Sequence, residues 1–333
     1  MIKRQRSSKS YGLRLIGCLR RSFPTAGLEV LAHTLPLHLN VEELAAEGFL
    51  RTKDCEKYAE EEMDTSHKTK VLHRFAIKQL LNDTIHKIYF NNTNYSDVGF
   101  DKITKQYMWD KKFHFDTYSW SCLNERKGIP RIDSDANIYT DGSKQDDGRA
   151  GAGMAVLVPK TNRTGEYHIH KDKWHLEEST IFQCEVYAIK KAAEWLHSNC
   201  VTKNIKEAVI NCDSQAAIKA LQANVTTSTL VKETVFSLNN LAQFIKVTIR
   251  WVKAHVEDSV AHKGNIMADT LAKKGARLTR APRVPDLPKI PLSILDSKIH
   301  KRMMALWKNE WVQNLNTKCQ HFETCKQSKR SPK

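Results

Sequence analysis

The sequence predicts an α/β domain, a five-stranded mixed sheet with helices on both faces, set between mainly helical flanking regions. Two observations carry this expectation. Three β-prone runs, around 137–144, 153–159 and 165–170, are joined by connections too short for a crossover, which makes them an antiparallel meander. After them, stretches with apolar residues at helical spacing alternate with two short apolar runs, 208–212 and 247–252, and strands separated by helices pair in parallel within a sheet that helices cover.

Taken in order, residues 1–130 read as a mainly helical region. Alanines and leucines recur at helical spacing over 25–33, 41–58 and 71–89, and the aromatic-rich segment from Phe100 to Trp120 has no clear period. From about residue 131 the texture changes. Asn137 to Lys144 reads as a strand ending on Asp141 and followed at once by Gly142, a common stop. The glycines of 148–153 resemble a phosphate-binding loop, but they lie between two strand patterns and open no helix, so they are expected to serve strand packing.

Residues 179–197 form a helix with Val186, Ile189, Ala193 and Leu196 on one side and Glu185 in its first turns. The run 208–212 ends on Asp213, and Ser214 is placed to cap a helix over 215–222. Residues 230–244 are helical, 247–252 is the fifth strand, and 264–276 is a helix with Asp269 in its middle. The expected domain is 131–279. A Pro-rich linker (280–293), a C-terminal helix (294–316) with Trp307 and Trp311 on a packing stripe, and a basic tail (317–333) follow it.

Fifty-three Lys and Arg against 37 Asp and Glu give a net charge of +16, which favours a polyanionic partner, nucleic acid ahead of an acidic membrane surface. No apolar run approaches the roughly 20 residues that span a bilayer, and none has the layout of a signal peptide. An intracellular protein, nuclear or cytoplasmic, is expected, with its eight irregularly spaced cysteines as free thiols. Two zinc arrangements fail on ligand number: Cys319, His321 and Cys325 offer three candidates, and His168 with His170 lacks a third partner. No aromatic-x-Asp-Asp polymerase motif is present, because Lys144-Gln-Asp-Asp147 lacks the aromatic residue.

Asp141 and Asp213 end two strands that a crossover helix makes parallel neighbours, so both emerge at one edge of the sheet. Glu185 lies on that crossover helix and Asp269 on the helix returning after the last strand. Four acids converging without a basic partner repel one another, and divalent cations remove the repulsion. Carboxylate oxygens in an open site suit Mg²⁺ or Mn²⁺, and two such ions about 4 Å apart activate a water and stabilise a leaving oxygen in phosphodiester cleavage.

Five motifs bring these acids into a family pattern: Thr140-Asp-Gly-Ser143, Gln183-Cys-Glu-Val-Tyr-Ala188, Cys212-Asp-Ser-Gln-Ala216, Trp251-Val-Lys-Ala-His255 and Gly264-Asn-Ile-Met-Ala-Asp269-Thr-Leu-Ala-Lys273. Over about residues 135–277 the chain resembles the type 1 ribonuclease H domain, above all the one at the C-terminal end of non-LTR (jockey-like) retrotransposon polyproteins. Residues 23–39 resemble the segment between reverse transcriptase and ribonuclease H in those elements. The resemblance implies strand order 3-2-1-4-5, the first three antiparallel and the rest parallel. It also implies two Mg²⁺ ions, with Mn²⁺ as substitute, and hydrolysis of the RNA strand of RNA–DNA hybrids to 5′-phosphate and 3′-hydroxyl ends.

By the same resemblance, Asp141 bridges both metals, Asp269 joins it on the ion that activates water, and Glu185 and Asp213 complete the second. His255 matches a mobile-loop histidine that assists proton transfer or product release. Ser143, Gln183, Gln215 and Asn265 match substrate-binding positions, the two glutamines facing the minor groove, where a 2′-hydroxyl marks RNA. A reverse transcriptase encoded elsewhere is the implied protein partner, and the oligomeric state is left open. One departure stands out: Asp269 follows His255 by 14 residues where the family has about ten, so that His262 competes for the loop role and Glu257 and Asp258 enter the loop. The alternative is therefore a catalytically impaired retroelement fragment that binds nucleic acid. A transposase or integrase of the same fold fits the fourth acid poorly.

Overall fold

The computed structural model describes residues 34–52, 100–103, 107–108, 110–116, 134–160, 166–176, 178–253, 260–278 and 288–318. The expected helices at 25–33 and 71–89, the segment 281–287 and His255 lie outside them. In chain order the elements are α1 (Leu37–Thr52), β1 (Tyr107–Met108), β2 (His114–Asp116), β3 (Ala136–Lys144), β4 (Ala150–Pro159), β5 (Tyr167–Leu176) and α2 (Ile181–Asn199). There follow β6 (Glu207–Cys212), α3 (Gln215–Gln222), β7 (Val225–Thr226), α4 (Thr229–Leu241), β8 (Lys246–Trp251), α5 (Val260–Ala276) and α6 (Leu292–Lys318). The chain divides into two compact units, Gly99–Ile294 on the one hand and Met1–Val98 with Leu295–Lys333 on the other.

The first unit is built on a sheet of order β2-β8-β6-β3-β4-β5. Five of its strands, from β5 to β8, stand in the expected order, with β3, β4 and β5 antiparallel and β6 and β8 parallel to β3 and to each other. The sheet has six strands rather than five. The sixth, β2, pairs in parallel with β8 and comes from the stretch expected to be a helical flank. Three residues in an aromatic run carry no readable period. What holds them is tertiary: Phe113 is buried in the main core against Phe115, and Asp116 accepts from Arg250 Nε at 2.8 Å.

β3 is buried on both faces, which is why its sequence reads as a continuous run rather than as a clean alternation. Ala136 and Ile138 join α2, α3 and α4 in the main core, while Tyr139 turns to the opposite face with Ala155, Leu157 and Ala268 of α5. The glycines of β4 explain how closely α5 lies on that face. A Cβ at Gly153 would stand 2.4 Å from Ala268 O, and one at Gly151 2.2 Å from Ala276 N, so packing, not phosphate, requires them. The third strand runs to Leu176, longer than expected, and its exposed His170 contacts Asp172 and stacks on Trp195.

In the second unit α1 and α6 bury Leu39, Met303 and Trp307 together, and His38 with Glu310 and His300 with Glu43 lie at 3.1 and 2.8 Å. Trp307 is thus a packing residue, 3% exposed. Among the described residues no helix is long and apolar enough to cross a membrane.

Candidate active site

Strand register brings the first two acids together. Thr140 of β3 pairs with Cys212 of β6, so Asp141 and Asp213, each one residue further on, come side by side; β6 ends just before Asp213, whereas β3 does not stop at Asp141 as expected but runs on to Lys144, held by its pairing with β4. Thr140 Oγ1 donates to Asn211 O across the same pair at 3.3 Å. Glu185 arrives from α2, whose start is fixed by a capping box: Thr180 Oγ1 accepts from Gln183 N, and Gln183 Oε1 accepts from Thr180 N. Gly142 permits the approach. A Cβ there would lie 2.7 Å from Glu185 N and 2.8 Å from Cys184 Cβ.

Asp269 comes from the middle of α5, on the other face of the sheet, with Lys273 one turn on at 2.8 Å. Two further groups anchor Asp213. Asn265 Nδ2, one turn before Asp269, donates to its Oδ2 at 3.2 Å, and Trp251 Nε1, at the end of β8, donates to its carbonyl at 3.0 Å. The Cys212 thiol points at Glu185 Oε2 at 3.9 Å, and the ligand atoms of Glu185, Cys212 and Asp213 lie within 4.8 Å of one another.

Protonation follows from this crowding. Burial, then Asp213, then Asp269 push the Asp141 carboxyl up to about 7 from its usual 3.8, against a backbone hydrogen bond from Gly142 that pulls it down. Glu185 is raised well above the ordinary range by burial and then by Asp141 and Asp213. Burial raises the Cys212 thiol too, so it stays protonated beside a hard oxygen donor set. The four carboxylates are the kind of set that suits a hard divalent ion with waters, and the raised proton affinity of Asp141 and Glu185 is what a bound cation would reverse.

All four acids predicted from the sequence are brought to one edge. Ser143 is at 8% exposure beside Gln145, and Gln215 is exposed at the start of α3, two residues after Asp213. Asn265 is buried, and its Oδ1 has no hydrogen-bond partner among the described residues. Gln183 is placed differently from a groove-reading residue: it is 1% exposed, and its Nε2 donates to Asp101 Oδ2 at 3.0 Å and to Lys289 O at 2.9 Å. Its side chain is enclosed in the protein. His262 falls in the first turn of α5. The sequence reading gave no role to Trp251, although it opens one of the five motifs, nor to Asp101, which no local signal marks.

Residues 133–277 match the model of the RNase H family. The match spans β3 to α5 and all four carboxylates, and the fold is ribonuclease H-like. An RNase H1 from the archaeon Halobacterium salinarum is similar at 19% identity over 42% of this chain and 96% of its own, with a TM-score of 0.32. The N-terminal RNase H domain of Rv2228c from Mycobacterium tuberculosis, solved as a fusion with maltose-binding protein, is similar at 18% identity over 42% of this chain and 98% of its own, with a TM-score of 0.33. The protease-reverse transcriptase of prototype foamy virus is similar at 21% identity over 44% of this chain but 21% of its own, with a TM-score of 0.36. No curated protein sequence matches the chain.

Proposed function

We propose that this protein is a metal-dependent endonuclease that hydrolyses the RNA strand of RNA–DNA hybrids. The observation that carries the reading is the convergence of Asp141, Glu185, Asp213 and Asp269 at one sheet edge inside the RNase H domain, with Asp141 held up to about 7 by burial and by its acidic neighbours. The donors fit Mg²⁺, or Mn²⁺ in its place. Asp141 and Asp269 would hold one ion, and Asp141, Glu185 and Asp213 a second. Bound there, the ions supply a nucleophilic water and stabilise the developing charge on the leaving oxygen.

The chain's own residues hold and orient. Asn265 and Trp251 fix the Asp213 carboxylate and carbonyl, so that this acid keeps its direction in an otherwise open edge. Gln215, exposed beside Asp213, is available to a 2′-hydroxyl in the minor groove, and Ser143 lies one residue beyond Gly142 on the strand that bears Asp141. His255, with His262 as its competitor, is assigned the proton handling near the product. The enclosed Gln183 supports the site from within. The net charge of +16 supports a nucleic-acid partner. Origin in a non-LTR retrotransposon, with a reverse transcriptase encoded elsewhere as companion, completes the proposal and rests on the five motifs and on residues 23–39.

The test is cleavage of a labelled RNA–DNA hybrid in Mg²⁺ and in Mn²⁺, beside single-stranded RNA and duplex DNA. Cleavage confined to the hybrid and lost in Asp213→Asn is expected. The lengthened loop with Glu257 and Asp258 favours a second reading, a nucleic-acid-binding fragment without activity, and tight hybrid binding without cleavage in either metal would establish it instead.

A further inference from the structure

The flanks on either side of the matched residues meet over the start of the helix that carries Glu185. Phe100, 3% exposed, forms a parallel bridge with Ile290, and the Asp101 N–H donates to the Ile290 carbonyl at 3.0 Å. Asp101 then engages both of its carboxylate oxygens. Oδ1 accepts from the Leu230 N–H at 3.0 Å, Oδ2 accepts from Gln183 Nε2 at 3.0 Å, and the Ser228 hydroxyl lies 2.9 Å from each. Gln183 Nε2 donates as well to the Lys289 carbonyl at 2.9 Å, while its Oε1 accepts from Thr180 N at 3.2 Å. One buried amide therefore joins residue 101, residue 289 and the N-cap of α2, and Glu185 follows two residues later.

The first turn of a helix has the fewest backbone hydrogen bonds of its own, so its geometry is set by whatever satisfies its free N–H groups and side chains. Here that is a charged acceptor, Asp101, reaching through an amide whose polar atoms are all engaged, an arrangement that resists rotation in a buried setting. Asp101 also accepts at the start of α4, so the same carboxylate locks two helices that pack against each other.

We propose that Asp101, with the Phe100–Ile290 bridge, is a clasp that positions Glu185 for metal binding. The working nuclease unit then extends from Phe100 to Ile290 rather than over residues 133–277. Asp101 is a positioning residue: it acts through Gln183 and touches no reacting atom. This inference rests on the reading of Glu185 as a metal ligand.

Mn²⁺ binding to the full chain, followed by the electron paramagnetic resonance of free Mn²⁺, separates the two ideas. Asp101→Ala is expected to weaken Mn²⁺ about tenfold, the low end of the range for outer-shell partners. Asp101→Asn, which keeps the shape and one acceptor, is expected to lose less. Gln183→Met should match Asp101→Ala, and the double variant should lose no more than either alone, because both act through one link. Asp116→Ala breaks the Arg250 pair in the same flank and should lower the melting temperature while leaving Mn²⁺ affinity unchanged. A folded Asp101→Ala or Gln183→Met protein that binds Mn²⁺ as the unaltered chain does would overturn the clasp alone. Absence of Asp213-dependent Mn²⁺ binding in the unaltered chain would overturn the metal-site reading, and the clasp with it.

Discussion

Glu185 and Asp269 reach the same sheet edge from opposite faces, one from the first turns of α2 and the other from the middle of α5. Glu185 is 6% exposed, lies two residues after the Gln183 amide that both flanks hold, and is pushed toward its neutral form by burial and by Asp141 and Asp213. The Asp269 side chain is 32% exposed and has Lys273 as an ion-pair partner on its own helix. One half of the site is thus buried and electrostatically frustrated, while the other is partly open and paired with a lysine. A divalent ion bound there would matter most to the buried half, where the Gly142 backbone hydrogen bond offsets the burial and repulsion only in part.

Asp141 belongs to the buried half and faces the open one, so its substitution has the largest effect. Asp141→Asn should reduce hybrid cleavage by more than about 100-fold, beyond the usual loss for an outer-shell partner. In metal-free buffer the same change should raise the melting temperature above pH 7, because it removes a buried charge from among three others. A lower melting temperature in that variant would contradict the frustrated half. Next in size is Gly142→Ala. Its methyl group meets the backbone of Glu185, so urea denaturation should report a loss of about 1–3 kcal/mol, the usual cost of overpacking, and cleavage should fall with it.

The pH dependence sharpens the same contrast. The folded-state pKa of Asp141 is raised, from 3.8 to about 7, so the stability it contributes is fully present below about pH 4 and is lost as pH rises through about 7. Melting temperatures in a chelator should fall between pH 5 and pH 8, and saturating Mn²⁺ should flatten that slope. The smallest effect belongs to the open half: Lys273→Ala removes an exposed pair of one helical turn, which costs about 0.3–0.5 kcal/mol, and should change cleavage less than twofold.

The placement of the carboxylates was legible in the sequence because each belongs to a regular element or directly follows one, Asp141 within β3, Asp213 just past β6, Glu185 in the first turns of α2 and Asp269 in the middle of α5, and regular elements have periods. Asp141 closes a β-prone alternation and Asp213 follows an apolar run, and the pairing of Thr140 with Cys212 then aligns them. Glu185 and Asp269 lie on helices whose apolar faces fix their azimuth. β2 and Asp101 were not legible, since three residues have no period and a carboxylate that serves distant helices leaves no local trace. Gln183 was seen but given an outward role. Its spacing in the motif suits a surface amide equally well, and only the position of residues 101 and 289 decides that it faces inward. The glycines of 148–153 went the other way: their strand context was enough to deny them a phosphate, and α5 lying against β4 supplies the reason.

The four-carboxylate site is tested most sharply by the chemistry of the reaction products. A hybrid labelled at the 5′ end of its RNA strand, incubated with the full chain in Mg²⁺, should yield shortened RNA with 3′-hydroxyl ends and complementary fragments bearing 5′-phosphates. The DNA strand should stay intact, and a chelator should abolish the reaction. RNA left whole while the hybrid is bound, or cleavage that persists in the chelator or in Asp141→Asn, would contradict a metal-dependent site made of these four carboxylates.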